Sequence, residues 1–419
     1  MTLARKPLAP SLALAACAAA VLATRPASAQ LVPLCSTLPG TVVYLESGDT
    51  QENLLKVVGR QLRDQANITL AFVLTGSCGI TSDMYSGNTL IAGTSIDYIP
   101  STAENPSWDP TQPEANCAVG SSGAPIDVGI AALFVQSCGL GGPPAGSGLA
   151  LVQGPIQAYT FVVPTASSAE AIWAEEAYYA FGFGDENKLH PWDDQDLMFI
   201  RPPSKSTLVV LADNIQVPPN KWHGVAENAS SDVVTAVSTS PSPQPTIGIL
   251  GAEVYDADRS AGIKTLAYRT FGQYHAYYPD STATAFDKKN VRDGHYTLWS
   301  PTVYITPVDA SGAPTNPAVA YLEDLVLGAE GATYGDGGTA ISGLADVIKV
   351  GLIPDCAMSV TRTADGGPLS LYTPSAPCHC AFESQIPGAN GATPPGCVTC
   401  STDAACSGGK CRHGFCEAS

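Results

Sequence analysis

Three short loops rich in glycine and hydroxyl side chains each follow an apolar run that is typical of a β-strand. The loops are residues 47–50, 75–79 and 201–207, and the third one adds the cations Arg201 and Lys205. A strand that ends in such a loop and leads into a helix directs free backbone N–H groups and a positive dipole end at one place. This chemistry suits a small anion, so the loops predict a ligand site.

Structural roles compete with this interpretation at each loop. Residues 47–50 have the residue types of an ordinary helix cap. Arg201 could pair with a surface acid, Asp193 or Asp196, instead of a ligand, and Cys78 suits a disulfide better than a reactive thiol.

Catalytic patterns are incomplete. Ser77 lacks the glycine two residues earlier that a nucleophile elbow needs. The sequence contains neither a phosphate-binding loop that ends in Gly-Lys-Ser/Thr nor a His-Glu-x-x-His zinc helix. We therefore expect a protein that is not an enzyme, with no cofactor and no metal.

Composition indicates a large folded protein that carries strong negative charge. The chain has 419 residues, of which 45% are hydrophobic and 14% are charged, which is enough material for two packed cores. The net charge is -18. This charge disfavours nucleic acid and anionic membranes as partners, whereas a closed pocket can still hold an anion through local dipoles.

The first 29 residues are typical of an export signal. A short basic start is followed by an apolar stretch at residues 12–22 and by Ala27-Ser28-Ala29. Cleavage after Ala29 would remove three cations and no acid, which takes the net charge from -18 to -21. Acylation at Cys17, as in a lipoprotein, is the alternative. No later segment is long and apolar enough to span a bilayer, so we expect a periplasmic or extracellular protein.

Cysteine usage agrees with an oxidising compartment. Twelve of the 13 cysteines follow the predicted signal. We expect the first four to pair among themselves, with Cys117 and Cys138 closing the loop between them, and we expect disulfides to order a tail at residues 356–419 that has little apolar material. Zinc is an alternative for this tail, since His379 and His413 lie among the thiols. The disulfide candidates are Cys35, Cys78, Cys117, Cys138, Cys356, Cys378, Cys380, Cys397, Cys400, Cys406, Cys411 and Cys416.

Hydrophobic periodicity predicts alternating strands and helices. This alternation favours an α/β fold with mainly parallel sheets. Strands are predicted at residues 41–46, 68–74, 126–135, 149–163, 197–200, 208–212, 233–237 and 247–250, and helices at 51–65, 167–181, 318–328 and 341–350.

The order of these elements resembles the type 2 periplasmic solute-binding proteins, and within them the phosphate-binding branch of ABC uptake systems. The resemblance covers about residues 30–354 and depends on five stretches that occur in the family's order. They are the strand, loop and helix at 42–55, the Gly-Ser-x-Gly turn at 76–79, Asp127-Val128-Gly129, the Arg loop at 201–207, and the strand at 247–251 with the aromatic run at 296–304.

The resemblance implies two lobes with a ligand cleft between them. Residues 30–160 and 255–355 would form the first lobe, residues 161–254 the second, and residues 356–419 an added tail. An anion would be held by helix N-termini, hydroxyls and one arginine. The ligand-binding residues implied in this way are Ser47, Gly48, Thr50, Ser77, Gly79, Arg201, Ser204, Ser206 and Thr207.

Two departures from the family pattern bear on the ligand. Ala131 and Ala132 stand where the family has an acidic acceptor for a protonated phosphate, and Lys205 replaces part of a compact Ser-Gly-Thr loop. Both changes favour a fully ionised oxyanion. We therefore expect an exported receptor for phosphate or a similar oxyanion, with an ABC permease or another envelope component as its partner. The alternative is a structural or adhesion protein that reuses the fold and contacts a partner through its tail.

Overall fold

The long strand Leu149–Pro164 is the element around which the rest of the fold is assembled. The structure, a computed structural model, describes residues 32–335 and 341–417, and an 11-stranded sheet runs through this strand. The first part of the strand pairs with Trp299–Pro307, and the last part pairs with Ile247–Gly251. One continuous strand therefore joins two halves of the sheet.

The strands and helices alternate along most of the chain. The strands are β1 (Thr41–Gly48), β2 (Ile68–Thr75), β3 (Thr89–Leu90), β4 (Ser95–Tyr98), β5 (Ala115–Ala118), β6 (Ala124–Pro125), β7 (Val128–Ala131), β8 (Leu149–Pro164), β9 (Ala171–Trp173), β10 (Met198–Ile200), β11 (Val225–Ala226), β12 (Ile247–Gly251), β13 (Ile263–Thr265), β14 (Ala267–Arg269), β15 (Trp299–Pro307), β16 (Val360–Thr361), β17 (Ser370–Leu371), β18 (Lys410–Arg412) and β19 (Phe415–Glu417). The helices are α1 (Glu52–Gln61), α2 (Ser77–Ser86), α3 (Ala174–Phe183), α4 (Ser206–Ile215), α5 (Ser230–Ser238), α6 (Ala252–Ala257), α7 (Lys289–Arg292), α8 (Pro317–Val326), α9 (Leu344–Lys349) and α10 (His379–Gln385).

The sheet has two lobes that share β8. We call the half with β5, β4, β2, β1, β7 and β15 the first lobe, and the half with β12, β10, β11 and β13 the second lobe. The centre of each lobe is parallel: β1 pairs with β2 and β7, and β10 pairs with β11 and β12. The pairings of β8 and β15 are antiparallel. The predicted two-lobed α/β class is confirmed, with antiparallel strands where the chain crosses between lobes.

The chain returns to the first lobe at β15. Before this return, β13 pairs with the end of β8, and β14 pairs with β9. Residues 263–269 therefore extend the region formed by the second lobe. The domain limits at 160, 254 and 355 stay predictions.

Most of the predicted elements are confirmed, but two apolar runs were assigned to the wrong type. Residues 208–212 and 233–237 were predicted as strands, and they lie in the helices α4 and α5. In α4 almost every side chain is buried, so the run has no polar face and its periodicity cannot separate a helix from a strand. In α5 the buried residues Val233, Val234 and Val237 have helical spacing, but their β-branched side chains favoured a strand.

The helix predicted at 167–181 begins later than expected. Residues 171–173 pair in parallel with β14, and the helix α3 starts only at Ala174. The sequence predicted a helix that begins after the cap residues Ser167 and Ser168. Strand pairing with β14 instead keeps residues 171–173 extended, so the first two predicted helical turns do not form.

All twelve cysteines in the described residues form disulfides. Cys35 is bonded to Cys117, and Cys78 to Cys138. The first four cysteines do pair among themselves, as predicted, but the expected bond between Cys117 and Cys138 is wrong. Cys117 lies on β5 at the edge of the sheet, whereas Cys138 lies in a 3-10 turn beside the start of α2. The four disulfides of the tail are Cys356–Cys378, Cys380–Cys397, Cys400–Cys411 and Cys406–Cys416.

The tail packs into the main core. Cys378 and Phe382 are almost fully buried in the same apolar cluster as Tyr159, Leu208 and Trp299. The zinc alternative for the tail is wrong for the described residues: the one group of sulfur atoms close enough to share an ion belongs to two disulfides. No described helix has the length and apolar character of a membrane span. The predicted signal, including Cys17, lies outside the described residues.

Candidate functional site

The carboxylate of Asp49 lies where the two lobes meet, surrounded by donors from the second lobe. Arg201 Nη2 lies 2.8 Å from Asp49 Oδ2, and Lys205 Nζ lies 3.1 Å from Oδ1. The backbone N–H and the hydroxyl of Ser230 also donate to Oδ2, at 3.2 and 2.9 Å. A guanidinium, an ammonium and a helix N-terminus therefore converge on one carboxylate.

Each member of this cluster is placed by the end of a regular element. Asp49 directly follows the parallel strand β1, and Arg201 directly follows the parallel strand β10. Ser230 is the first residue of α5, where backbone N–H groups lack partners inside the helix. Ligands of open α/β sheets bind at the carboxyl ends of strands, and this cluster occupies such a position.

Arg201 is held rigidly by the second lobe. Its side chain is fully buried. Nε donates to the carbonyl of Glu227 at 3.0 Å, Nη2 to that of Asn228 at 2.8 Å, and Nη1 to the hydroxyl of Ser230. A buried charge costs several kcal/mol unless it is paired, so the site needs an anion beside Arg201.

The electrostatic balance keeps Asp49 ionised. Burial alone would raise the pKa of its carboxyl group, but the charges of Arg201 and Lys205 outweigh burial and hold that pKa below its ordinary value. Asp49 is therefore an anion at neutral pH. The donors around it form the charge-assisted hydrogen bonds that an oxyanion would also accept.

A second contact between the lobes occupies the N-terminus of α2. The backbone N–H of Cys78 donates to the carbonyl of Ser204 at 3.1 Å, and Lys205 Nζ donates to the carbonyl of Thr75 at 2.9 Å. Gly76 permits this approach, because a Cβ there would lie 2.8 Å from the carbonyl oxygen of Ser204. The sequence had predicted an anion at the N-terminus of α2. In the structure, the carbonyl of Ser204 accepts a hydrogen bond there instead.

The structure brings the predicted loops together, although their side chains do not all face one point. The hydroxyl of Ser77 accepts the N–H of Ala132 at 3.1 Å, and that of Ser47 donates to the Gly48 carbonyl at 3.3 Å. The hydroxyls of Thr50 and Thr207 are buried without a partner in the described residues. Ser206 is buried at the start of α4, the backbone of Ser204 meets α2, and a Cβ on Gly79 would have nothing within 4 Å.

Asp49 and Ser230 are the central residues that sequence reasoning missed. Asp49 stands between Gly48 and Thr50 in a predicted ligand loop, but an acid has no obvious place in a site for anions. Ser230 lies in a Ser-Ser-Asp run that is typical of a helix start, and the strand predicted after it hid this signal. Arg201 does pair with an acid, but with neither Asp193 nor Asp196.

A chain of buried polar side chains continues behind the cluster. Gln51 donates to Gln157, and Gln157 Nε2 donates to Glu253 Oε1 at 3.2 Å. Burial raises the pKa of the Glu253 carboxyl group well above its ordinary value, which favours its neutral form. The two acids therefore have opposite pKa shifts, since cations surround Asp49 and only neutral amides contact Glu253 in this chain of side chains.

A narrow cavity leads to Asp49 from solvent. It has a volume of about 210 Å³ and is lined by both lobes, with Glu52 and Asn53 on one side and Ser230, Ser231 and Asp258 on the other. This volume is below the 300–1,000 Å³ that is typical of drug-sized ligands. The cleft suits an ion of a few atoms.

Comparison with known proteins gives similarities in structure alone. No family model matches the chain, and no curated protein matches its sequence. A Clostridium perfringens protein assigned as a phosphate ABC transporter substrate-binding protein, with bound phosphate, is 11% identical, with a TM-score of 0.48 over 75% of this chain and 99% of that one. A possible phosphate binding protein from Planctomyces limnophilus is 14% identical, with a TM-score of 0.43 over 75% and 93%. An ABC-type phosphate transport receptor from Vibrio cholerae is 12% identical, with a TM-score of 0.41 over 67% and 91%.

Proposed function

We propose that this chain is an exported solute-binding protein whose cleft takes a small, fully ionised oxyanion, phosphate or a close relative. The observation that carries the proposal is the convergence of Arg201, Lys205 and the N-terminus of α5 on one carboxylate. These donors match the charge and the hydrogen-bonding capacity of an oxyanion. In this interpretation Asp49 stands in for the ligand.

The position of Asp49 sets a condition on binding. A ligand must displace this carboxylate from Arg201 and from Ser230, because their donors already point at it. A tethered carboxylate competes at a high effective concentration. We therefore expect the wild-type protein to bind weakly and a variant without the Asp49 charge to bind more tightly.

The disulfides agree with an exported protein, and an exported receptor would find its partners in the cell envelope. Twelve paired cysteines suit an oxidising compartment. An ABC permease or a sensor in the envelope is the partner that an oxyanion receptor would serve. Binding rather than catalysis stays our expectation, since the sequence holds no complete catalytic motif.

The test is calorimetric titration of residues 30–419 in buffer free of oxyanions, with phosphate, sulfate, arsenate and a small organic phosphate. Asp49→Asn keeps the shape of the side chain and removes its charge. We expect it to bind at least one of these ions at least about tenfold more tightly than the wild type, which corresponds to about 1.4 kcal/mol or more of lost competition. Asp324→Asn is the matched control, because Asp324 is an exposed acid on α8.

The double variant Asp49→Asn/Lys205→Ala identifies the site, since it should lose the gained affinity, whereas Lys221→Ala in the same background should keep it. Lys221 is exposed and lies outside the cleft. A folded Asp49→Asn protein that binds none of the four ions would contradict the proposal.

A structural or adhesion role is the second candidate. The hydrogen bonds of Arg201 engage all three of its side-chain nitrogen atoms, and the lobes also meet through Cys78 and Ser204. Such a cleft would serve as a brace that holds the lobes together. Under this alternative, Asp49→Asn would lower stability and bind no ion.

A further inference from the structure

A second cavity lies within the first lobe, away from the cleft. It has a volume of about 580 Å³, which is in the range of sites for small organic molecules. Its walls come from β1, β2, α2, β3 and β4, and it shares no lining residue with the cavity at Asp49. This cavity is therefore separate from the proposed oxyanion site.

The cavity contains a buried carboxylate that lacks a cationic partner. The Glu46 side chain is 7% exposed, and its Oε2 atom has no hydrogen-bond partner in the described residues. The second acid of the cavity, Asp83, lies close enough for its charge to act on Glu46. Among the described residues, no lysine or arginine forms an ion pair with either acid. Asp83 itself is half-buried, and its Oδ1 accepts a hydrogen bond from Asn88 Nδ2 at 2.7 Å. A buried acid that faces a second acid without a cation is costly.

A proton on Glu46 lowers this cost in the absence of a ligand. Burial, and then the charge of Asp83, raise the pKa of Glu46 to about 7. Among the described residues that line the cavity, Asp83 is the one other titratable group, since Val73, Thr75, residues 88–91 and residues 94–96 are apolar or neutral. A proton with this pKa is readily exchanged for another cation near neutral pH.

The remaining lining determines which cation fits. Val73, Leu90 and Ile96 form apolar walls, and Ile91 is 73% exposed among the lining residues. The Thr75 hydroxyl is buried without a partner in the described residues. A bare Ca²⁺ or Mg²⁺ ion needs six or more oxygen ligands and gains nothing from apolar walls. An ammonium group on an apolar body matches both parts of the cavity.

We propose that this cavity binds a small organic primary amine, with its ammonium group between Glu46 and Asp83 and its apolar part against Leu90 and Ile96. The Thr75 hydroxyl accepts a further N–H of the ammonium group. This binding is independent of the cleft and of any oxyanion.

The test is calorimetric titration of residues 30–419 at pH 8 with butylamine, hexylamine and phenethylamine, and with the corresponding alcohols as neutral probes. We expect saturable binding of at least one amine and none of its alcohol. Glu46→Gln should weaken that binding at least about tenfold, which corresponds to about 1.4 kcal/mol. Asp97→Asn is the control, because Asp97 follows the lining residue Ile96 on β4 but does not itself line the cavity.

The pH dependence gives a second measurement. The ammonium group competes with the proton of Glu46, so the affinity should fall by up to about tenfold for each pH unit below 7. Asp83→Asn provides a second variant if Glu46→Gln does not fold. Absence of saturable binding to the folded wild type at pH 8, or unchanged affinity in both folded variants, would overturn the proposal.

Discussion

At the scale of single residues, Asp49 decides how the cleft should be understood. Its carboxylate accepts hydrogen bonds from Arg201, Lys205 and Ser230, which an oxyanion could also accept. A carboxylate and a phosphate oxygen accept the same charge-assisted hydrogen bonds. The same contacts are therefore compatible with two interpretations. They either hold the two lobes together or form a ligand site in which Asp49 takes the place of the ligand.

If the contacts of Asp49 hold the lobes together, they should contribute measurably to the free energy of unfolding. Asp49→Asn leaves two cations without their counter-charge, and breaking a buried pair in this way costs about 3 kcal/mol or more. Because the folded pKa of Asp49 is lowered from 3.8, its contribution is complete above about pH 5 and is lost as the pH falls through the folded pKa. Urea unfolding at pH 7 and at pH 3 should show a large difference in stability from the wild type at pH 7 and a smaller one at pH 3.

The exposed acid Asp324 provides the comparison for this measurement. Asp324→Asn changes the net charge equally and should alter stability by less than about 0.5 kcal/mol. Equal stability of Asp49→Asn and the wild type at pH 7 would show that the salt bridges contribute nothing to holding the lobes.

Glu253 should have the opposite pH dependence. Its folded pKa lies well above 4.5, so the unfolded chain loses this proton first as the pH rises. Stability therefore decreases above about pH 4.5, by up to about 1.4 kcal/mol per pH unit from this group. Glu253→Gln, which stays neutral, should flatten the decrease between pH 5 and pH 8 in urea unfolding. Glu186→Gln, at an exposed position, should leave it unchanged, and an identical slope in all three proteins would refute the assignment.

The candidate site could be predicted from the sequence only in part. The loops at 47–50, 76–79 and 201–207 were found because glycine and hydroxyl residues after apolar runs are a local signal. The partner of Arg201 depends on which loops meet, and Asp49 is 152 residues away along the chain. Nothing local distinguishes Asp49 from Asp193 or Asp196.

At the scale of elements, the most reliable predictions were those in which length and periodicity agreed. The strands β1, β2 and β8 and the helix α1 were predicted because each has a long run with one period. The helix α4 was missed because it is buried on nearly all sides and so lacks the polar face that marks a helix. Burial is set by the whole fold, and the local sequence of these ten residues does not show it.

Gly154 lies where β8 pairs with β15, and we expect that a side chain at this position does not fit. A Cβ there would lie 2.6 Å from Thr302 Oγ1 and would also overlap the ring of Tyr304, at the point where the register of the two strands shifts. Both neighbours are buried. Gly154→Ala should therefore destabilise the protein by about 1–3 kcal/mol, as overpacked cores do, measured by thermal or urea unfolding.

Gly142 offers the control for this substitution. A Cβ at Gly142 would meet nothing within 4 Å, so Gly142→Ala should be close to neutral. Equal melting temperatures for Gly154→Ala and Gly142→Ala would contradict this prediction. They would mean that β8 and β15 can move apart at Gly154 without a loss of stability.

At the scale of the whole molecule, the tail is less independent than its composition predicts. Its small number of apolar residues suggested a segment ordered by disulfides alone. In the structure, Arg362 donates to the carbonyls of Trp299 and Thr297, and Asp365 accepts the N–H of Phe134 and the hydroxyl of Ser137. The few apolar residues of the tail reach the shared core, and residue counts cannot reveal where such residues pack.

Removal of the tail should therefore unfold more than the tail. A chain of residues 30–355 would lose Met358, Cys378 and Phe382 from the core, each at most 1% exposed. Burial of one such side chain is worth about 1.5–3 kcal/mol, so the loss approaches the 5–15 kcal/mol that stabilises a typical domain. We expect this chain to show no cooperative melt in calorimetry and little near-UV circular dichroism.

The double variant Cys400→Ser/Cys411→Ser in residues 30–419 separates the effect of packing from that of cross-linking. It opens a disulfide whose cysteines are 11 residues apart and removes none of the three buried side chains. A short loop of this kind contributes about 3 kcal/mol, so the variant should melt cooperatively at a lower temperature than the wild type. If residues 30–355 melted cooperatively at the wild-type temperature, the lobes would be stable without the tail. The tail would then not be needed for folding and could bind a partner instead.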